Sequence, residues 1–117
     1  MKKVFLAFVA ILGLVLTGCA SSIEGSPNNS EITQIIDVRT AAEYSEGHIA
    51  NSINFDVEAG SFATQISTLD KSGVYLVYCR SGRRSAIAAT AMAEAGFTVQ
   101  DGGGLDSMLS NGWELGQ

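Results

Sequence analysis

The sequence predicts a single α/β domain built on a mainly parallel sheet flanked by helices. Short β-prone runs alternate with stretches of helical apolar spacing across residues 31–117, the order of strand–helix–strand units. The run Val74-Tyr75-Leu76-Val77-Tyr78 is almost continuously apolar, as in a strand covered on both faces. A length of 117 residues suits one core.

The elements follow in chain order. Residues 33–38, with Ile35, Ile36 and Val38, read as a first strand. Residues 41–45 read as a short helix, with Thr40 at its N-cap and Gly47 ending it. A short strand falls within residues 49–55. Phe62, Ile66 and Leu69 recur at helical spacing over residues 61–69. Ser72-Gly73 is a turn before the apolar strand at residues 74–78. Residues 85–95 are Ala-rich and helical, with Gly96 where a C-terminal glycine belongs. Residues 97–99 form a last short strand, residues 102–104 (three glycines) a tight loop, and residues 105–109 a terminal helix. Tyr44, Phe55, Phe62 and Phe97 are assigned to the core.

The start of the chain reads differently. Met1-Lys2-Lys3 is basic, and residues 4–16 are apolar apart from Gly13, too short for a mature membrane span. The run ends in Leu16-Thr17-Gly18-Cys19, which resembles a bacterial lipoprotein signal. The resemblance implies cleavage before Cys19 and a lipid on its sulfur, hence a chain anchored in the cell envelope and facing the periplasm. Ala20 rather than Asp after that cysteine favours the outer membrane. Residues 1–18 are then a signal peptide, residues 19–30 a Ser-, Asn- and Gly-rich tether, and residues 31–117 the domain. Loss of Lys2 and Lys3 moves the formal charge from −5 to −7. Such acidity does not support nucleic-acid binding.

Five basic residues remain, and three of them, Arg80, Arg83 and Arg84, lie in one loop. That loop, Cys79-Arg80-Ser81-Gly82-Arg83-Arg84-Ser85, joins the apolar strand to the Ala-rich helix. At the carboxyl end of a strand, a thiol faces a helix N-terminus whose free N–H groups favour negative charge. Thiolate is the nucleophilic form, and such a setting lowers a cysteine pKa. With Cys19 lipidated, Cys79 has no partner cysteine and is flagged as a reactive thiol. Its polar neighbours argue against a buried, inert cysteine.

Three stretches together resemble the rhodanese (sulfurtransferase) domain family. They are Ile36-Asp37-Val38-Arg39 with Glu43-Tyr44, Gly47-His48-Ile49 and Ser52-Ile53-Asn54; then Cys79 to Ser85; then Gly96-Phe97 with Gly103-Gly104. The plan is similar to short exported single-domain members, with the N-terminal strand–helix unit shortened. Met108 stands where such members often carry Trp, and Trp113 takes over that packing role.

The resemblance implies sulfur transfer through Cys79. The thiolate takes the outer sulfur of a small anionic donor such as thiosulfate, and a thiol or cyanide-type acceptor removes it. Backbone N–H groups of residues 80–85 would converge on the terminal sulfur of the persulfide. Gly82 permits the tight bend. Arg80, Arg83 and Arg84 would hold the donor, with a structural role as a rival for Arg84. Ser81 lies in the same substrate-binding loop, and Ser85 would cap the helix or bond the sulfur. Asp37 and Arg39 are supporting residues, with Arg39 and Glu43 placed to pair with one another. His48 reads as a packing histidine rather than a base. No metal or cofactor is called for. A cysteine phosphatase or arsenate reductase is a rival, but its loop needs Arg where Ser85 stands. A non-turnover binding module or persulfide carrier on the same fold is another.

Overall fold

A computed structural model describes residues 31–116; the expected signal peptide, lipid site at Cys19 and tether, and Gln117, lie outside the described residues. Four strands, β1 (Gln34–Asp37), β2 (Ser52–Asn54), β3 (Val74–Cys79) and β4 (Thr98–Gly104), form a wholly parallel sheet in the order β2-β1-β3-β4. Four helices connect or follow them: α1 (Ala41–Glu46), α2 (Phe62–Ile66), α3 (Arg83–Glu94) and α4 (Leu105–Ser110). This is the α/β architecture predicted from the alternation of elements.

Side chains alternate across a strand, and the core divides accordingly. Ile36, Tyr75, Val77 and Cys79 face one layer with Phe62 and Ile66 of α2 and Ala88 and Met92 of α3. Ile35, Leu76 and Tyr78 face the other, with Ile49 and Met108 of α4 and with half-buried Trp113 against them. Fully covered side chains such as Ile36, Val77 and Met92 each contribute about 2 kcal/mol through apolar burial. Tyr44 and Phe55, read as core, are only half-buried; Phe62 and Phe97 are buried.

Local chemistry sets the helix ends. Thr40 Oγ1 accepts from the Glu43 amide while the Glu43 carboxylate accepts from the Thr40 amide, a reciprocal cap for α1. Gly47 follows it, as its glycine predicted. Lys71 Nζ donates to the Ala95 carbonyl at 2.6 Å beyond the end of α3, where a cation offsets the helix dipole.

Three sequence expectations need correction. Helix α3 begins at Arg83, so Gly82 is its N-cap and Ser85 lies inside the first turn. Residues 102–104 are not a tight loop but the end of β4, with Gly104 paired to Cys79. Their lack of side chains serves close approach: a Cβ on Gly104 would sit 2.5 Å from the Arg80 carbonyl oxygen. Arg39 does not pair with Glu43; it pairs with Asp37.

Candidate active site

Strand β3 lies inside the sheet between β1 and β4, and it ends at Cys79. The chain then turns through Arg80, Ser81 and Gly82 into α3. Gly82 carries φ of +101°, a left-handed conformation that glycine adopts at little cost. That bend directs the Gly82 amide to Cys79 Sγ at 2.9 Å. The first half of the loop is fixed from the side by β4 and its exit: the Leu105 amide donates to the Arg80 carbonyl at 3.2 Å, and Ser81 bridges Gly104. Ser85 Oγ donates to the Gly82 carbonyl at 3.1 Å and approaches that of Gly103 at 3.4 Å. Ser85 therefore ties the loop to the glycines of β4 instead of capping α3.

Burial pushes the Cys79 thiol up, but the amide and hydroxyl of Ser85 and the amides of Gly82 and Ser81 outweigh it. The thiol is held below its ordinary value. This is the anion-favouring cradle read from the sequence. The exposure differs from the sequence reading: Cys79 is 0% exposed. Its strand is flanked on both sides, its Cβ faces the α2–α3 layer, and the loop closes over its end. Cys79 packs with the apolar α2–α3 layer on one side, and on the loop side its sulfur accepts from the Gly82 amide, so the thiol is covered but has a polar partner.

The three loop arginines have separate fates. Arg80 and Arg83 are exposed and make no ion pair among the described residues. Arg84 is half-buried, and its guanidinium grips Glu43 of α1 in two bonds, 2.7 and 3.1 Å. Glu58, in the connection from β2 to α2, lies 4.0 Å from the same guanidinium. The Arg84 bonds hold the Glu43 carboxyl down to about 2. Glu43 in turn raises Arg84, with smaller contributions from Cys79 and Glu58.

Asp37 and Arg39 do not reach the sulfur. Asp37 points to the other face of the sheet, beside Tyr78. Arg39 Nη2 lies 2.6 Å from Asp37 Oδ2, and Arg39 Nε donates to both carboxylate oxygens. Tyr78 Oη donates to Asp37 Oδ2 at 2.7 Å and accepts from the Ile49 amide at 2.9 Å. Burial pushes the Tyr78 hydroxyl up to about 12. Asn54 Nδ2 joins the network by donating to the carbonyls of Asp37 and Arg39. All four polar groups are satisfied, so they fix Tyr78, the residue before Cys79. His48 stacks on Tyr44 at 3.7 Å between ring centroids, its Nδ1 2.8 Å from the Tyr44 carbonyl oxygen. It takes no part in the cysteine loop. Among the described residues no group of three or more His, Cys, Asp or Glu side chains is placed to hold a metal.

Sequence reasoning missed Glu58 and the partner of Arg84. Glu43 and Arg84 are 41 residues apart, so no local spacing announces the pair.

The chain is similar to known proteins. The profile of the rhodanese-like domain family matches residues 22–106. Thiosulfate sulfurtransferase PspE of Escherichia coli (strain K12) is 34% identical over 71 residues, 60% of this chain and 68% of that protein. Thiosulfate sulfurtransferase 16, chloroplastic, of Arabidopsis thaliana is 37% identical over 89 residues, 66% of this chain and 74% of that one. The tRNA sulfurtransferase of Thermoplasma acidophilum is 35% identical over 78 residues, only 15% of its length. Among solved structures, the rhodanese-3-like domain of an Anabaena protein superposes with a TM-score of 0.64 at 28% identity, covering 72% of this chain and 98% of that one. A rhodanese with anions from Escherichia coli gives 0.55 at 32% identity, covering 63% and 88%.

Proposed function

Because this chain belongs to the rhodanese-like domain family, we propose that it is a sulfurtransferase working through a persulfide on Cys79, with thiosulfate or a related small anion as donor. The Cys79 thiolate attacks the sulfane sulfur of thiosulfate. A new sulfur–sulfur bond forms to Cys79, the sulfane–sulfite bond breaks, and sulfite leaves with the bonding pair. The charge of the thiolate ends on the terminal sulfur of the persulfide. An acceptor thiolate or cyanide then takes that sulfur and returns Cys79 as thiolate. Electrons balance in both halves, so no metal, oxidant or reductant is needed.

One observation carries this reading: the Gly82 amide, 2.9 Å from Cys79 Sγ, sits in a loop whose hydrogen bonds favour the anion despite burial. Arg80 and Arg83, exposed at the loop, supply cations for the donor. The covered thiol adds a requirement: the loop rim must part to admit a sulfane sulfur. Alkylation of Cys79 by iodoacetamide should accordingly be much slower in the folded chain than in urea, and equal rates would remove that requirement.

Thiocyanate formation from thiosulfate and cyanide tests the assignment. Wild-type chain is expected to turn over, and Cys79→Ser, close in size, to lose turnover while keeping its melting temperature. Turnover retained in Cys79→Ser overturns the mechanism. Hydrolysis of an aryl phosphate, with no thiocyanate formed, would favour the phosphatase reading instead. Persulfide loading without turnover would make the domain a carrier.

We further propose that residues 1–18 are a lipoprotein signal, residues 19–30 a tether and Cys19 the lipid site. The domain would then face the periplasm, with the outer membrane favoured by Ala20. Thr33 meets the start of β3, its amide donating to the Val74 carbonyl at 2.7 Å. Thr33 thus lies at the end of the strands opposite Cys79. A mature N-terminal peptide beginning at an unmodified residue other than Cys19 would rule out the anchor.

A further inference from the structure

Three arginines line the cysteine loop, yet two carboxylates from outside it meet one of them. Arg84 is held in two bonds by Glu43 at 2.7 and 3.1 Å and has Glu58 at 4.0 Å. The Arg84 and Glu43 side chains are only 17% and 21% exposed, so the pair is sheltered from solvent and held in one orientation. Both guanidinium nitrogens that grip Glu43 are turned toward α1. Glu58 is different: its side chain is 60% exposed and makes no hydrogen bond among the described residues, while its amide is anchored to Asp56 Oδ1 at 2.9 Å. Its charge therefore faces the solvent beside the loop.

The charges on and beside the cysteine loop follow from this. Arg80, Arg83 and Arg84 supply three positive charges, and Glu43 and Glu58 withdraw two. A Cys79 thiolate removes the last. A dianionic donor meets a site with little net attraction, where the arginines alone would have drawn it strongly.

We propose that Glu43 and Glu58 are specificity-determining residues, which occupy Arg84 and so favour sulfane donors of low negative charge over dianionic thiosulfate. Resting on the sulfurtransferase reading, this assigns a role to two residues outside the cysteine loop. Glu43 acts by fixing Arg84, and Glu58 by placing an exposed negative charge at the rim. Each negative charge on a donor meets the same field, so removing one carboxylate aids a dianion more than a monoanion.

The test compares two donors with the same acceptor. Thiosulfate carries two negative charges. Benzenethiosulfonate carries one, gives the same Cys79 persulfide and releases benzenesulfinate. In Glu58→Gln, kcat/KM for thiosulfate is expected to rise about fourfold and that for benzenethiosulfonate about twofold at low salt. In about 1 M salt, where screening acts within about 3 Å, the two gains should both fall toward one. Glu43→Gln should move the ratio in the same direction, and glutamine at this position keeps the reciprocal cap of α1. If Glu43→Gln fails to fold, Glu58→Gln decides alone, because the Glu58 side chain is 60% exposed and makes no hydrogen bond among the described residues. Equal gains for both donors, or none, in a chain that transfers sulfur would overturn the proposal and leave the activity standing. A wild-type chain that takes sulfur from neither donor would overturn the sulfurtransferase reading itself, and this proposal with it.

Discussion

At the residue scale, the proposed chemistry rests on one thiol and the groups around it. The position of Cys79 between a strand and a helix is legible in the sequence, since strand, cysteine, glycine and helix follow in order. Its complete burial is not, because that depends on β1 and β4 flanking it from distant parts of the chain. The division of labour among the arginines is likewise hidden until Glu43 and Glu58 are placed in space. Arg83→Ala is expected to raise the KM for thiosulfate roughly tenfold, the loss of one charge-assisted contact. Being exposed, it should change stability by no more than about 0.5 kcal/mol. A steady-state titration with thiosulfate and a parallel thermal melt read both, and an unchanged KM would remove Arg83 from the donor site. Asp37→Asn should do the reverse. It breaks a buried ion pair with 0% and 4% exposed partners, a loss of about 3–5 kcal/mol, while lying across the sheet from the sulfur. A chemical denaturation curve with an unchanged midpoint would contradict that structural role.

At the scale of elements, β3 and α3 are readable because each is written in consecutive residues: an unbroken apolar run and an Ala-rich stretch ended by Gly96. The end of β4 is not. Residues 102–104 look like a turn because glycine usually marks one, yet here it marks a strand pressed against the cysteine loop. The pressure of that contact gives a test. A Cβ on Gly104 would meet the backbone of Arg80 and Ser81 at 2.5 to 3.1 Å, and backbone cannot turn aside as a flexible side chain can. Gly104→Ala is expected to destabilise the domain by about 1–3 kcal/mol and to cut sulfur transfer more than this loss explains, because the strained segment carries the loop. Full activity in a folded Gly104→Ala chain would show that the loop does not depend on β4. The Glu43–Arg84 pair does similar work from the other side, joining α1 to the start of α3.

At the scale of the whole molecule, a four-stranded parallel sheet places the cysteine loop at its carboxyl edge, and stability and reactivity share the same charges. Glu43 titrates at about 2 in the folded chain against an ordinary 4.5, chiefly because Arg84 bonds it. A depressed carboxyl stabilises the fold above the higher value and loses that contribution as the pH falls toward the lower. Stability should therefore drop by about 1 kcal/mol, after allowance for solvent screening, between pH of about 4.5 and 2. Glu43→Gln should flatten that part of the profile in urea melts across the acid range, and an identical slope in both chains would contradict the pairing. The central claim is that Cys79 alone accepts the moving sulfur, and the intact mass of the protein after exposure to thiosulfate tests it most directly. A gain of about 32 Da, the mass of one sulfur atom, mapped to the peptide containing Cys79, absent from Cys79→Ser and removed by cyanide, is the expected result. No gain in the wild-type chain, or the same gain in Cys79→Ser, would contradict it.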